Sequence, residues 1–335
     1  MFKVDPTARV EGAPGFRRMF AADRLTLGVF FPIEAFPHDQ PTLRDQERLA
    51  VRAQELGFAA LWCRDVPLRD PSFGDVGQVY DPWVYLGWIG AITRDIALAT
   101  GSIVLPLRHP LHVAKAAASV DQLSRGRLVL GVASGDRPVE FPAFGVDIER
   151  RANLFREDFE AIRRVLGTEF PVLKTSRGVL TGQADLVPKP MGRLPLLVTG
   201  NSGQPLPWIA AHSDGWITYP RSIERQAETV ARWRAQVEEA APGRFKPFAQ
   251  SLYVDLDADP QLPPTSIHLG FKSGRLFLLS FLEGLRGVGV NHVILNLKYG
   301  ARPAAEVLEE IGAEVLPALA AGNKTRTASD DGTLA

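Results

Sequence analysis

Eight short apolar runs, separated by helical patterns, restrict this chain more than any other feature. The runs fall at 25–31, 59–63, 96–105, 128–133, 194–199, 215–219, 248–256 and 292–297. Apolar runs of this length, without polar alternation, suit strands buried on both faces. The segments between them carry a helical period. In "LRDQERLAVRAQELG", Leu43, Leu49, Ala50, Ala53 and Leu56 make one face, and Gly57 supplies the C-terminal stop. A strand followed by a helix, eight times over, predicts an α/β fold of the (β/α)8 TIM-barrel type. Strand count alone leaves a doubly wound sheet open.

The barrel is expected as one domain over 23–322, with an excursion around 168–193 between the fourth helix and the fifth strand. Residues 1–22, interrupted by Pro and Gly, read as a surface arm, and 323–335 as a frayed tail. With 335 residues, 45% of them hydrophobic, the chain can bury a large core. Lys+Arg and Asp+Glu both number 38, and no basic cluster suggests nucleic acid or an anionic membrane as partner. Cys63 is the only cysteine, which rules out an internal disulfide and a CxxC metal site. No run approaches ~18 apolar residues, so no membrane span is expected. The N-terminal stretch lacks an apolar signal core, so a cytoplasmic protein is expected.

In such a barrel the chemistry sits at the C-terminal ends of the strands. Strand four, "GRLVLGVASGD", stops abruptly at Ser134 and Gly135. Strand five ends Thr199-Gly200-Asn201-Ser202-Gly203-Gln204, before a Pro-started helix. Small polar residues and glycine at a strand tip let backbone amides approach an anion such as a phosphate. A Ser or Asn cap with glycines for turn geometry explains the same letters. Strand three offers Gly101 and Ser102, then Arg108 and His109; strand two runs into Arg64 and Asp65; strand six ends at Tyr219 and Arg221. Asp65 is the candidate proton-handling group, with a structural Asp–Arg pair as the alternative. Arg108 and Arg221 are candidates for anion contacts. His109 reads either as a ligand contact or as the cap of the third helix. His292 starts strand eight at the opposite end, and His38 and His268 fall in loops. No histidines pair at a metal-ligand spacing, and GxGxxG, GxxxxGK[ST] and HExxH are absent. "GNSGQ" nearly matches the nucleophile elbow GxSxG, but Gln204 fills the last glycine position.

The block "TGSIVLPLRHPLHVAKAAASVDQLSRGRLVLGVASGDRPVEFPAFG" resembles the bacterial-luciferase-like monooxygenases. It shares a third strand, an HP helix start, a D-x-L-S-x-G-R segment and a glycine-ended fourth strand in that order. "LPLLVTGNSGQPLPWIAAHSDGWITYPR" resembles the fifth and sixth strands of the same family. The resemblance implies a flavin at the barrel mouth: FMN with O2, or the deazaflavin F420 as hydride carrier. It implies that Ser134, Gly135, Asn201, Ser202, Gly203 and Gln204 surround the phosphate and ribityl chain. Gly101-Ser102 matches the place where the third strand bulges, often through a non-prolyl cis peptide, behind the ring. Phe31, Trp62, Phe141 and Tyr219 are candidates for the apolar wall.

Two positions depart from the luciferase branch. Val66 stands where that branch has a histidine, so light emission is not expected. Ser134 stands where it has a phosphate-binding arginine; Arg137 and Arg221 are the candidate substitutes, and neutral donors alone are the alternative. The reading is an FMN-dependent monooxygenase acting on a small organic substrate. Its partners would be O2, a separate flavin reductase and a second copy of the chain as a homodimer. F420-dependent hydride transfer and a non-catalytic flavin-binding protein are the alternatives.

Overall fold

A computed structural model describes residues 9–34, 43–72 and 80–321. The expectations for the tail at 323–335 and for His38 lie outside the described residues. The eight barrel strands are β1 (Thr26–Phe31), β2 (Ala60–Cys63), β3 (Ala97–Thr100), β4 (Leu128–Ala133), β5 (Leu196–Thr199), β6 (Gly215–Thr218), β7 (Phe248–Leu256) and β8 (His292–Asn296). They form a parallel sheet in the order β7-β8-β1-β2-β3-β4-β5-β6, and β6 pairs with β7 to close the ring. The fold is a (β/α)8 barrel. Among the described residues no helix is long and apolar enough to cross a membrane.

Contacts divide the chain into two compact units. One takes the described residues up to Arg18 and Trp62–Trp216; the other takes Met19–Leu61 and the described residues from Ile217 on. In the first unit β3 and β4 are buried along their length, with Leu98 opposite Leu128 and Leu130 opposite Leu196 on β5. That is why their runs lack polar alternation. Helix Pro82–Ile92 starts on a proline, with the Asp81 side chain accepting from the Trp83 and Val84 amides. Helix Arg151–Gly167 buries Leu154, Phe155, Phe159, Ile162 and Val165 along one stripe. In the second unit β1 and β7 flank β8, with Thr26 and Ala249 both in register with His292. Helix Gln46–Leu56 ends at Gly57, whose φ of 96° is the left-handed stop expected from the sequence.

Three sequence expectations need correction. Strand three does not run unbroken over 96–105. It ends at Thr100, crosses a cis Gly101–Ser102 peptide, resumes as Ile103–Val104 beside β4, and turns into a 3-10 helix at Leu105–Leu107. The excursion at 168–193, in which no strand is expected among the eight runs, carries an antiparallel hairpin of Val172–Thr175 and Gly178–Thr181. Arg177 at its turn reaches the Asp158 carboxylate at 3.1 Å and the Pro106 carbonyl at 2.6 Å. In its described part, the expected surface arm carries a helix, Pro14–Met19, and buries Phe16, Met19 and Phe20. Its glycine has a packing reason, since a Cβ on Gly15 would lie 2.3 Å from the Arg127 carbonyl oxygen.

Candidate functional site

Three strand tips of the first unit meet through the hydroxyls of Ser102, Thr199 and Ser202 and the Ser134 amide. Ser102, just after β3, hydrogen-bonds Thr199 at the end of β5 through the two side-chain oxygens. The Ser202 hydroxyl donates to the Thr199 carbonyl at 2.8 Å and accepts from the Ser134 amide, past β4, at 3.2 Å. The Gly101 amide donates to the Cys63 carbonyl at the end of β2 (2.8 Å). Ser102, Ser134, Thr199 and Ser202, named from sequence at three strand ends, therefore form one cluster.

The loop after β5 is held in an unusual backbone. Gly200, Ser202 and Gly203 have φ of 57°, 46° and 70°. Ser202 takes a left-handed conformation that costs a non-glycine residue roughly 1–3 kcal/mol, and its two hydrogen bonds offset this. The Trp216 indole donates to the Gly200 carbonyl at 2.8 Å and fixes the loop from β6. A Cβ on Gly200 would meet nothing within 4 Å, whereas one on Gly203 would lie 2.4 Å from the Ala152 Cβ. Gly200 thus faces open space, and Gly203 is pressed against the first turn of helix Arg151–Gly167. Gly203→Ala should cost about 1–3 kcal/mol through this overlap and the positive φ. Urea unfolding checks it, and an unchanged midpoint would count against the packing described.

Several sequence-named residues turn out to hold the structure. Gly135, with φ of 84°, leaves no room for a Cβ, which would sit 2.8 Å from Val104 and 3.1 Å from the Phe141 ring. Its glycine is a packing requirement. Gln204 is buried and its amide is engaged: Oε1 accepts from Arg156 at 2.8 Å, and Nε2 donates to the Ala152 and Ser202 carbonyls at 2.8 and 3.2 Å. It braces the loop, as the Asn201 carbonyl does by accepting the Gln204 amide at 2.8 Å.

Asp65, the expected proton-handling group, is one half of an ion pair. Arg108 donates to both of its oxygens, Nε at 2.8 Å and Nη2 at 2.7 Å, and the Val104 amide adds a third bond at 3.1 Å. Arg108 also reaches Asp81 at 3.1 Å, so two carboxylates share its charge. His109 caps helix Pro110–Leu123, its Nδ1 accepting from the Leu111 amide at 3.2 Å. Beside this network lies a cavity of about 400 Å3, lined by Asp65, Val66, Pro67, Tyr80, Arg108 and Phe144 among others. Val66, at the position of the luciferase histidine, offers it only methyl groups.

In the second unit, Arg221 donates to the Tyr219 carbonyl at 3.2 Å and to Gln226 at 3.3 Å, and Tyr219 is exposed. Phe31, Trp62 and Phe141 are fully buried. His292 is buried with Nδ1 on the Thr26 hydroxyl at 2.7 Å. Burial and nearby Arg24 hold its imidazole down to about 3, a structural role as its strand-start position suggested. Among the described residues no group of three or more His, Cys, Asp or Glu could hold a metal ion.

Two residues were missed. Glu140, after β4, is buried with Oε1 unpartnered among the described residues. Its carboxyl is pushed up to about 7, chiefly by desolvation, with Arg137 opposing and Asp65 reinforcing the shift. Arg156 lies in the second turn of helix Arg151–Gly167, and nothing in its local sequence marks it.

Residues 25–261 match the family model described as luciferase-like monooxygenase. An uncharacterized protein of Mycobacterium tuberculosis is 39% identical over 164 residues, 46% of this chain and 57% of its own. The 4-hydroxyprotoasukamycin monooxygenase of Streptomyces nodosus subsp. asukaensis is 28% identical over 230 residues, 65% of this chain and 60% of its own. These matches span little more than half the length of the curated relatives. Among solved structures, an F420-dependent secondary alcohol dehydrogenase in complex with an F420-acetone adduct superposes with a TM-score of 0.72 at 18% identity. It covers 88% of this chain and 99% of its own. With the family model matching most of its barrel, the chain belongs to the luciferase-like monooxygenase family.

Proposed function

We propose that this protein is a flavin-dependent oxidoreductase, of the FMN-dependent monooxygenase type, acting on a small organic substrate. The observation that carries the reading is the cluster joined by the hydroxyls of Ser102, Thr199 and Ser202 and the Ser134 amide, in a loop where Gly200 faces open space. A phosphorylated polyol chain needs neutral donors and a backbone it can approach without a Cβ in the way, and this donor set fits one. Ser102, Ser134, Thr199, Gly200, Asn201 and Ser202 would hold the phosphate and ribityl chain. Gly101 would leave room for the ring. Once bound, reduced FMN supplies the electrons that activate O2, and a separate flavin reductase would recharge it. The protein's share is to bind, orient and exclude water. Asp65 and Arg108 brace the wall of the mouth, and Val66 and Phe144 make it apolar.

F420-dependent hydride transfer is the second reading. It is favoured by Ser134, a neutral residue where a luciferase-type arginine would meet the FMN phosphate. Titration of the protein with FMN and with F420, followed by fluorescence, tests both. Micromolar FMN binding with substrate-dependent O2 uptake is the expected result. F420 binding with anaerobic loss of its absorbance selects the second reading, and binding of neither overturns both. FMN binding without any substrate-dependent O2 or hydride consumption leaves a non-catalytic flavin-binding protein.

A further inference from the structure

The phosphate proposed above carries charge, and the hydroxyl cluster supplies none to match it. Most arginines of the first unit that form charged contacts are spent on carboxylates: Arg108 on Asp65, Arg163 and Arg193 on Asp214, Arg177 on Asp158. Arg156 differs. Its Nε donates to the neutral Gln204 amide at 2.8 Å, and its guanidinium lies 5.3 Å over the Trp208 ring. Among the described residues no carboxylate lies within ion-pair distance of it. The residue is exposed, so a solute can reach it. Two neutral partners hold the planar fork in one place and leave its charge uncompensated, which is how a protein preorganises an anion contact.

Its place in the chain ties it to the same loop. Arg156 stands one turn beyond Ala152, on which Gly203 packs, and the Gln204 amide that holds Arg156 also holds the Ala152 and Ser202 carbonyls. Gln204 therefore links the guanidinium to the loop that carries Ser202. We propose that Arg156, positioned by Gln204, is the cationic anchor for the phosphate of the redox cofactor, in place of the arginine that Ser134 does not supply. Arg137 and Arg221, the substitutes suggested by sequence, are not needed for this role. The proposal rests on the flavin or deazaflavin reading given above.

The test compares wild type, Arg156→Gln and Arg156→Lys against phosphorylated and phosphate-free ligands. FMN is paired with riboflavin, and F420 with its deazaflavin chromophore lacking the phosphate. Binding is read by fluorescence, and thermal midpoints confirm that each variant is folded. Loss of one charge-assisted contact should weaken the phosphorylated ligand about 10–100-fold in R156Q. The phosphate-free partner should stay within about twofold, and R156K should fall between. Equal losses for both ligands, or an R156Q that binds the phosphorylated ligand as wild type does, would overturn the anchor while leaving the flavin reading intact. If wild type binds none of the four ligands, the functional reading itself fails, and the anchor with it.

Discussion

Asp65→Ala is expected to remove about 3–5 kcal/mol of stability, the cost of breaking a buried ion pair from one side. The Asp65 side chain is 2% exposed and that of Arg108 is 24% exposed. Removing the carboxylate strips Arg108 of both short hydrogen bonds and leaves the Val104 amide, beside the cis peptide segment, without its acceptor. Asp81 is too exposed to replace what is lost, at 44%. Urea unfolding of the single and double variants measures the coupling. Asp65→Ala and Arg108→Ala together should cost clearly less than the sum of the two, because each removes the same pair. Any loss of turnover in the single variants should follow the loss of folded protein. A wild-type midpoint in Asp65→Ala, with turnover gone, would restore the proton-handling role and sink the structural one.

The barrel was legible because its signal is local. Strands buried on both faces must be apolar throughout, and some of the helices between them carry a local start signal, as Asp81-Pro82 and His109-Pro110 do. The break in β3 was not legible from periodicity. Ile96, Ile103 and Leu105 continue the apolar run across Gly101-Ser102, and only the family resemblance placed a bulge there. The hairpin at 172–181 escaped notice because its strands are short and mostly exposed, with no clean alternation. At the mouth, strand-end position found the serines and threonine that meet there. It could not separate glycines that face open space from those that face a neighbour, since Gly200 and Gly203 differ only in what lies beyond the missing Cβ. Nor could it see pairings across 43 positions, such as Arg108 with Asp65.

Glu140→Gln should make the protein more stable at pH 8 by about 2–3 kcal/mol and leave it unchanged near pH 4. The carboxyl is 1% exposed, and its ordinary value of 4.5 is raised to about 7. Desolvation is the main cause. The Leu68 amide and Arg137 favour the charged form, Asp65 and Asp136 oppose it, and the opposing group wins. The sign follows from proton counting. Below about pH 4.5 folded and unfolded chains both hold the proton, and the group contributes nothing. Between 4.5 and 7 the unfolded chain has lost the proton and the folded chain keeps it, so stability falls as pH rises. Above 7 the folded protein carries a buried carboxylate at full cost, which the neutral amide avoids. Asp158, also raised to about 7, slopes the same way, while Asp214 and Asp185, held low by Arg163 and Lys189, slope against it. Only the difference between wild type and variant isolates Glu140. Urea midpoints at pH 4, 6 and 8 should converge at the acid end and separate at the basic end. Parallel curves would mean that Glu140 is already ionised in the folded protein, with a partner for Oε1 that a buried carboxylate at this mouth would then have to have found.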